Sequence, residues 1–297
     1  MDFRQIEAFV NVVKYKSFSR AADALYLTQP TISTHISSLE KELGVQLIDR
    51  TGKEASPTRD GKELFPYAME LLNTRDHAIN ALQPKSQEIE GILEIQASSV
   101  PGEYIVPSLL SGFQKIHPQV RFYLEQSDTG QVERNLLENK GEIGFLGDRG
   151  TKDLNYVKLV TDQMVLVTPK NEKFLAIKGE EVTIDTMIKE PFLWREQGSA
   201  TRKEFEERLV SLGKDPREIK AVALMNSLEA ILQSVSCGMG VSVVPRLAVE
   251  GNRNYLMFQI QDMDLNRDFY LVWKKGGILS AKAEAFRDYV VSFYNAT

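Results

Sequence analysis

Apolar residues at Phe3, Ile6, Val10 and Val13 fall three or four positions apart, the spacing of one face of a helix. Lys14-Tyr15-Lys16 follows, and cations suit the carboxyl end of a helix dipole. Ser17 or Ser19 can cap a second helix holding Arg20-Ala21-Ala22-Asp23-Ala24-Leu25, whose paired alanines allow a neighbouring helix to approach closely. A third helix is predicted from Thr28, with Pro30 in its first turn, where a missing N–H costs little. Its apolar stripe is Ile32, Ile36, Leu39 and Leu43, and Gly44 ends it. Pro30, Thr31, Ser33, Thr34, Ser37, Ser38 and Lys41 fall around the opposite arc.

That arc is small and hydroxyl-rich instead of the usual Glu/Lys mixture. It is either a solvated face or a surface shaped to approach base edges and phosphates. Residues 45–59 follow as a Gly- and Pro-containing turn with Arg50, Lys53 and Arg59, the composition of a wing on a phosphate backbone. Residues 58–82 then read as one long helix. Leu64, Ala68, Leu71, Arg75, Ala78 and Leu82 alternate steps of four and three, a coiled-coil seam with one polar interruption. A buried core helix is the alternative. The narrow seam and the hinge-like Gln83-Pro84-Lys85-Ser86 favour dimerisation.

From residue 89 the pattern changes. Strand-like runs at 91–97, 120–125, 142–146, 164–168, 191–194, 220–224, 241–244 and 269–273 alternate with helical runs at 105–116, 132–139, 202–212, 227–237 and 281–294. Such alternation predicts α/β units with parallel sheets. Ligands of these folds bind beyond the carboxyl ends of strands, near helix N-termini. The residues placed there are Ser98, Ser99 and Val100; Ser127 and Thr129; Ser199, Thr201 and Arg202; and Asn226. Each Ser or Thr also qualifies as an ordinary helix cap. Their convergence, with Arg202 as a cationic anchor, points to a ligand site.

Composition narrows the classes. With 297 residues the chain has room for two or three compact units, and its 42% hydrophobic and 26% charged residues fit an ordinary soluble protein. No apolar run approaches the roughly 20 residues of a membrane span, and the N-terminus lacks a signal-peptide pattern. Cys237 is alone, so no internal disulfide can form, and a cytoplasmic location is the economical expectation. The three histidines are too scattered for a metal site, and no cofactor is expected. Residues 1–60 carry eight basic and eight acidic side chains, so the whole net charge of −5 lies beyond them. Bulk charge therefore neither supports nor forbids DNA binding. Enzyme motifs are missing: Gly141-x-x-Gly144-x-x-Gly147 has no Lys-Ser/Thr after it, and no Gly-x-Ser-x-Gly elbow occurs.

The run from Ala21 to Gly52, followed by Pro57-Thr58-Arg59-Asp60-Gly61, resembles the N-terminal domain of LysR-type transcriptional regulators. The shared elements are Ala21-Ala22, Thr28-Gln29-Pro30, Ser33, Leu39-Glu40, Leu43-Gly44 and the Leu47-to-Arg50 wing. The resemblance implies a winged helix-turn-helix with base-edge contacts from Gln29, Pro30, Ser33 and Thr34. It implies phosphate contacts from Arg20, Thr31, Ser38, Arg50 and Lys53. Position 34 is often Arg in the family, so the shorter Thr34 shifts discrimination towards DNA shape and dimer spacing.

Weaker likeness at Arg195 to Arg202 and around Gly238-Met239-Gly240 implies a periplasmic-binding-protein-like effector domain. The expected architecture is thus an α+β multi-domain chain. A DNA-binding domain spans 1–58, a linker and dimerisation helix 59–88, and an effector domain 89–297. Subdomain I takes 90–161 plus 267–297, and subdomain II takes 162–266. A small carboxylate or inorganic oxyanion is expected between the subdomains, touching Ser98, Ser99, Thr201 and Arg202. The implied partners are promoter DNA, the effector, further copies of the chain in a homodimer or homotetramer, and RNA polymerase. A cytoplasmic small-molecule binding protein with no regulatory role is the alternative, which the N-terminal module disfavours.

Overall fold

The computed structural model of the chain describes residues 1–52, 54–82, 89–177, 179, 181–261 and 263–295. Its contacts divide it into two compact units, Met1–Ile89 with Gly276–Glu284, and Glu90–Lys275 with Ala285–Thr297.

The first unit contains α1 (Phe3–Tyr15), α2 (Phe18–Ala24), α3 (Gln29–Leu43), β1 (Ile48–Asp49), β2 (Ser56–Pro57) and α4 (Arg59–Leu82). Local chemistry sets each helix start. Asp2 and Gln5 form a capping box on α1, with both side chain–backbone bonds at 2.9 Å. Ser17, not Ser19, caps α2, and Thr28 caps α3. Gly44 ends α3 with φ +72°, where a side chain would be strained. Ile6, Phe9, Val12, Ala21, Ala22, Ile32, Ile36 and Leu39 form the core. Phe3 and Leu43, predicted on apolar stripes, sit at helix ends and are exposed.

The seam predicted on α4 is corrected. Ala68 is 1% exposed, and Leu64 is half-buried against the same core as α1–α3. A residue enclosed within its own chain cannot meet a partner helix. Phe65 and Met69 join them, Phe65 edge-on to Phe9 at 6.4 Å between ring centres. Leu71 and Ala78 do face outwards, and with exposed Tyr67 they make a stripe at steps of four and seven. The polar interruption, Arg75, ties α4 to α1: its guanidinium lies over the Phe3 ring and 3.7 Å from Glu7. Lys53, the side chain of Leu82 and the 83–86 segment lie outside the described residues.

The second unit runs β3 (Gly91–Ser98), α5 (Ser99–Tyr104), α6 (Val106–Ile116), β4 (Val120–Ser127), α7 (Thr129–Leu137), β5 (Ile143–Leu146), β6 (Leu154–Pro169), α8 (Glu172–Leu175) and β7 (Glu181–Val182). It continues α9 (Ile184–Met187), β8 (Phe192–Arg195), α10 (Ala200–Ser211), β9 (Ala221–Met225), α11 (Leu228–Ser236), β10 (Ser242–Pro245), β11 (Tyr255–Ile260), β12 (Asn266–Lys274) and, from Ala285 on, α12 (Ala281–Asn295).

Two lobes share one long strand. In the first lobe the sheet order is β4-β3-β5-β12-β6, with β3 parallel to β4 and β5. β12 runs antiparallel to β5 and to residues 154–163 of β6. Beyond Gln163, β6 pairs antiparallel with β10 and β11 instead, and so enters the second lobe. The sheets are therefore mixed, not parallel as predicted. The parallel βαβ pattern holds for β3, β4 and β5 and for the β8–β9 pair. The chain leaves the first lobe along β6 and returns along β12, and an out-and-back pair must be antiparallel. The first half of β6 carries no clear strand pattern in the sequence, because Asn155, Lys158, Thr161, Asp162 and Gln163 dilute its apolar character.

Candidate nucleic-acid interface and effector cleft

On α3 the residues Ile32, Ile36 and Leu39 are fully buried, which turns the opposite arc outwards. Gln29, Pro30, Thr34, Ser37, Ser38 and Lys41 are exposed, and Thr31 and Ser33 are half-exposed. The Thr34 hydroxyl donates to the Pro30 carbonyl at 2.9 Å, so its lone pairs are what it can offer outwards. Thr31 and Thr28 share a hydroxyl–hydroxyl bond of 2.8 Å.

Glu40 builds the wing. One carboxylate oxygen accepts the Leu47 and Ile48 N–H groups at 2.9 and 3.1 Å, which fixes the chain leaving α3 as it enters β1. The other oxygen lies 3.3 Å from Arg50. Arg50 also reaches the Ser33 and Ser37 hydroxyls at 3.4 Å and covers the Phe18 ring at 5.0 Å. Arg50 was predicted as a phosphate contact, and its guanidinium here clips the wing to the recognition helix. Asp49 turns the wing by accepting both the N–H and the hydroxyl of Thr51, and the Thr51 hydroxyl holds its carboxyl below the usual range. The Ala55 N–H donates to the Lys16 carbonyl at 3.0 Å and anchors the far side. A groove of about 500 Å³ results, lined by Lys16, Ser17, Arg20, Gln29, Ser33, Arg50 and Glu54. One carboxylate, Glu54, sits in this polar groove 3.7 Å from Lys16.

The second site lies in the two-lobed unit. Ser98 and Ser127 end β3 and β4 and are paired in the parallel register, so they sit side by side at the carboxyl edge. The buried Ser127 hydroxyl has no hydrogen-bond partner among the described residues. Ser99 and buried Val100 open α5, and Thr129 opens α7, capped by Asp128. From the other lobe comes Arg195, at the carboxyl end of β8 and 4% exposed. Its guanidinium reaches the Ser99 hydroxyl at 3.5 Å and grips Glu196 through two bonds of 2.8 and 3.0 Å. Gly198, at φ +97°, lets the following loop pass close to Asp128: a Cβ there would lie 4.0 Å from the Asp128 Cβ. Burial raises the Glu103 carboxyl above its ordinary range, Arg195 opposes that shift and Glu229 adds to it.

The other predicted effector residues have different partners. Ser199 caps α10, and Asn226 lies exposed after β9. Arg202 donates to the Arg195 carbonyl at 3.0 Å, pairs with Glu206 at 2.8 Å and covers the Trp194 ring at 5.2 Å. Thr201 is buried and accepts a 2.6 Å bond from Arg267. Arg267, fully buried at the start of β12, also donates to the Gly147 carbonyl at 3.3 Å. It thereby ties α10 of one lobe to the loop after β5 of the other. A Cβ on Gly147 would come within 2.1 Å of this guanidinium, which accounts for the third glycine of the 141–144–147 series. Arg195 and Glu196 were missed as site residues, although the strand-end rule points straight at position 195.

A hydroxyl-rich recognition helix with a clipped wing, in one chain with a two-lobed α/β cleft, defines a DNA-binding regulator with a sensor domain. The profile described as "Bacterial regulatory helix-turn-helix protein, lysR family" matches residues 3–62, and the "LysR substrate binding domain" matches residues 86–294. The chain belongs to the LysR family of transcriptional regulators, whose members regulate transcription and are not enzymes. An uncharacterized HTH-type transcriptional regulator of Methanocaldococcus jannaschii is 31% identical over 287 residues, covering 96% of each chain. Full-length OxyR of Pseudomonas aeruginosa, 20% identical, superposes with a TM-score of 0.80 over 98% of this chain and 94% of its own. The regulatory domain of CcmR from Synechocystis, solved in complex with 2-PG, is 22% identical with a TM-score of 0.63, covering 69% of this chain and 98% of its own. No helix among the described residues is long and apolar enough to cross a membrane.

Proposed function

We propose that this regulator binds promoter DNA as a homodimer or homotetramer and that a small anion in the two-lobed cleft controls its output. The observation that carries the reading is Arg195: a guanidinium 4% exposed, at the Ser99 hydroxyl and beside the Ser98–Ser127 edge. A buried cation among hydroxyls recognises carboxylate or phosphate oxygens. The 2-PG bound by the CcmR regulatory domain supports the same ligand chemistry. Arg195 takes the anchoring role first expected of Arg202, with Ser98, Ser99 and Ser127 supplying hydroxyls. On the DNA side, Gln29, Pro30, Ser33 and Thr34 meet base edges, and Arg20, Thr31 and Ser38 serve phosphates.

Tyr67, Leu71 and Ala78 supply the face for a second copy of α4. Two recognition helices then address two half-sites of one operator. Ligand binding shifts the lobes about the β6–β12 pair and alters promoter spacing or bending, with RNA polymerase as the downstream partner. The test is a gel shift with the DNA upstream of the protein's own gene, with and without 2-PG and inorganic phosphate. A shift whose position or midpoint responds to an anion, and which Arg195→Ala makes unresponsive, is expected. No shift at low salt up to micromolar protein would sink the DNA reading, and a shift insensitive to every anion would sink the effector reading.

A further inference from the structure

The Arg195–Glu196 pair has a consequence for how any anion enters. Arg195 is 4% exposed and cannot swing out to meet a ligand, so an anion must come to it. Both bonds on that edge of the guanidinium, through Nε and Nη2, already go to the adjacent carboxylate at 2.8 and 3.0 Å, the bidentate geometry in which a ligand carboxylate would sit. Glu196 differs from its partner in being 26% exposed, so rotation about its own side-chain bonds carries it to water. At the carboxyl edge of the first lobe's sheet, paired in register with Ser98 and so one residue away from Ser99, the Ser127 hydroxyl is buried and lacks any hydrogen-bond partner among the described residues. One group on the cleft floor is thus held by a replaceable partner, and another has none.

We propose that Glu196 is an internal stand-in for the effector's anionic head, and that binding is an exchange of one anion for another at Arg195. This rests on the anion reading above and specifies its mechanism. The incoming oxyanion takes the Nε–Nη2 edge of Arg195 and accepts from the Ser99 and Ser127 hydroxyls, and the Glu196 carboxylate moves into solvent. The number of ion pairs at Arg195 is unchanged, so affinity comes from the added hydroxyl bonds and from the rest of the ligand. A neutral ligand leaves Glu196 in place and gives no signal, so the exchange selects for charge.

The experiment is calorimetric titration of the full-length chain with inorganic phosphate, acetate and 2-PG, comparing wild type with Glu196→Gln, Glu207→Gln and Ser127→Ala. Glu207 is an exposed carboxylate on α10 that lines a separate polar cavity with Lys203, Glu204 and Arg208, and its variant removes the same charge without freeing Arg195. Glu196→Gln should tighten anion binding at least tenfold and Glu207→Gln less than twofold, while Ser127→Ala weakens it severalfold. Equal tightening by both glutamine variants would reduce Glu196 to part of the general field and overturn the exchange. Unchanged affinity in Glu196→Gln, with wild type binding normally, would overturn it too. If wild type binds none of the three anions but Glu196→Gln does, the stand-in is confirmed. If neither binds, the exchange and the anion reading fall together. Thermal melting of each variant reports whether it is folded.

Discussion

Replacing Glu40 by alanine should unfold the wing's foundation, and its size can be worked from the geometry. Two backbone amides, Leu47 and Ile48, lose a charged acceptor at 2.9 and 3.1 Å, and both residues are at most 3% exposed. A hydrogen bond to a charged group contributes about 1.5–3 kcal/mol. The Glu40–Arg50 pair spans 3.3 Å, but Arg50 is 43% exposed, and such pairs contribute about 0–1 kcal/mol. The amides therefore dominate. With water partly replacing the lost acceptor, Glu40→Ala should destabilise the first unit by about 3 kcal/mol. For a unit of this size that corresponds to a fall in Tm of roughly 12–24 °C. Arg50→Ala should lower it by at most about 4–8 °C, on the same arithmetic for an exposed pair. Differential scanning calorimetry of the full chain, following the transition that promoter DNA shifts, measures both. Equal losses in the two variants, or a Glu40→Ala protein melting within a few degrees of wild type, would refute the reasoning.

Glu54→Gln removes a carboxylate from the groove beside Arg20 and Arg50 and frees Lys16, so DNA should bind severalfold more tightly. The slope of log affinity against log salt should steepen by about 0.9 if Lys16 takes a phosphate, and an unchanged affinity and slope would count against the groove as a backbone seat. Tyr26 is 97% exposed with φ +55°, so Tyr26→Gly relieves left-handed strain without losing packing and should stabilise the first unit by roughly 0.5–1 kcal/mol. A less stable variant in chemical denaturation would show that the ring packs on something. Burial raises the Asp162 carboxyl above its ordinary range, against the pull of the Leu247 N–H. Its stabilising contribution is therefore full below the unfolded pKa and is lost as pH rises through the folded pKa. Asp162→Asn should melt higher than wild type at pH 7 and alike near pH 3, whereas a constant difference across that range would contradict the assignment.

The recognition helix was legible because its information is local. Thr28, Pro30, the Ile32–Ile36–Leu39 stripe and Gly44 lie within one element, and each acts through the geometry of its own turn. The cleft was legible only as a set of strand ends. Ser98, Ser99 and Ser127 could be placed, but the Arg195–Ser99 contact joins residues 96 apart, and no periodicity records it. Arg202 drew attention as the cation opening a helix, yet a guanidinium's reach lets it fold back on the Arg195 carbonyl and Glu206. The α4 seam failed for a related reason. Spacing shows that Leu64, Ala68, Leu71 and Ala78 share a stripe, but not that the first two turn into their own domain while the last two face out.

The position of β12 has a consequence for how the protein is made. It is the last strand among the described residues, yet it lies inside its sheet, between β5 and β6. A nascent chain that has left the ribosome only as far as residue 265 holds every strand of the second lobe, while the first still has an open slot between two strands. Synthesis therefore closes the lobes in reverse of the order in which they begin. Until the final strand arrives, the exposed edges of β5 and β6 invite pairing with other chains, and a translation stall in this window would leave the molecule most prone to aggregate.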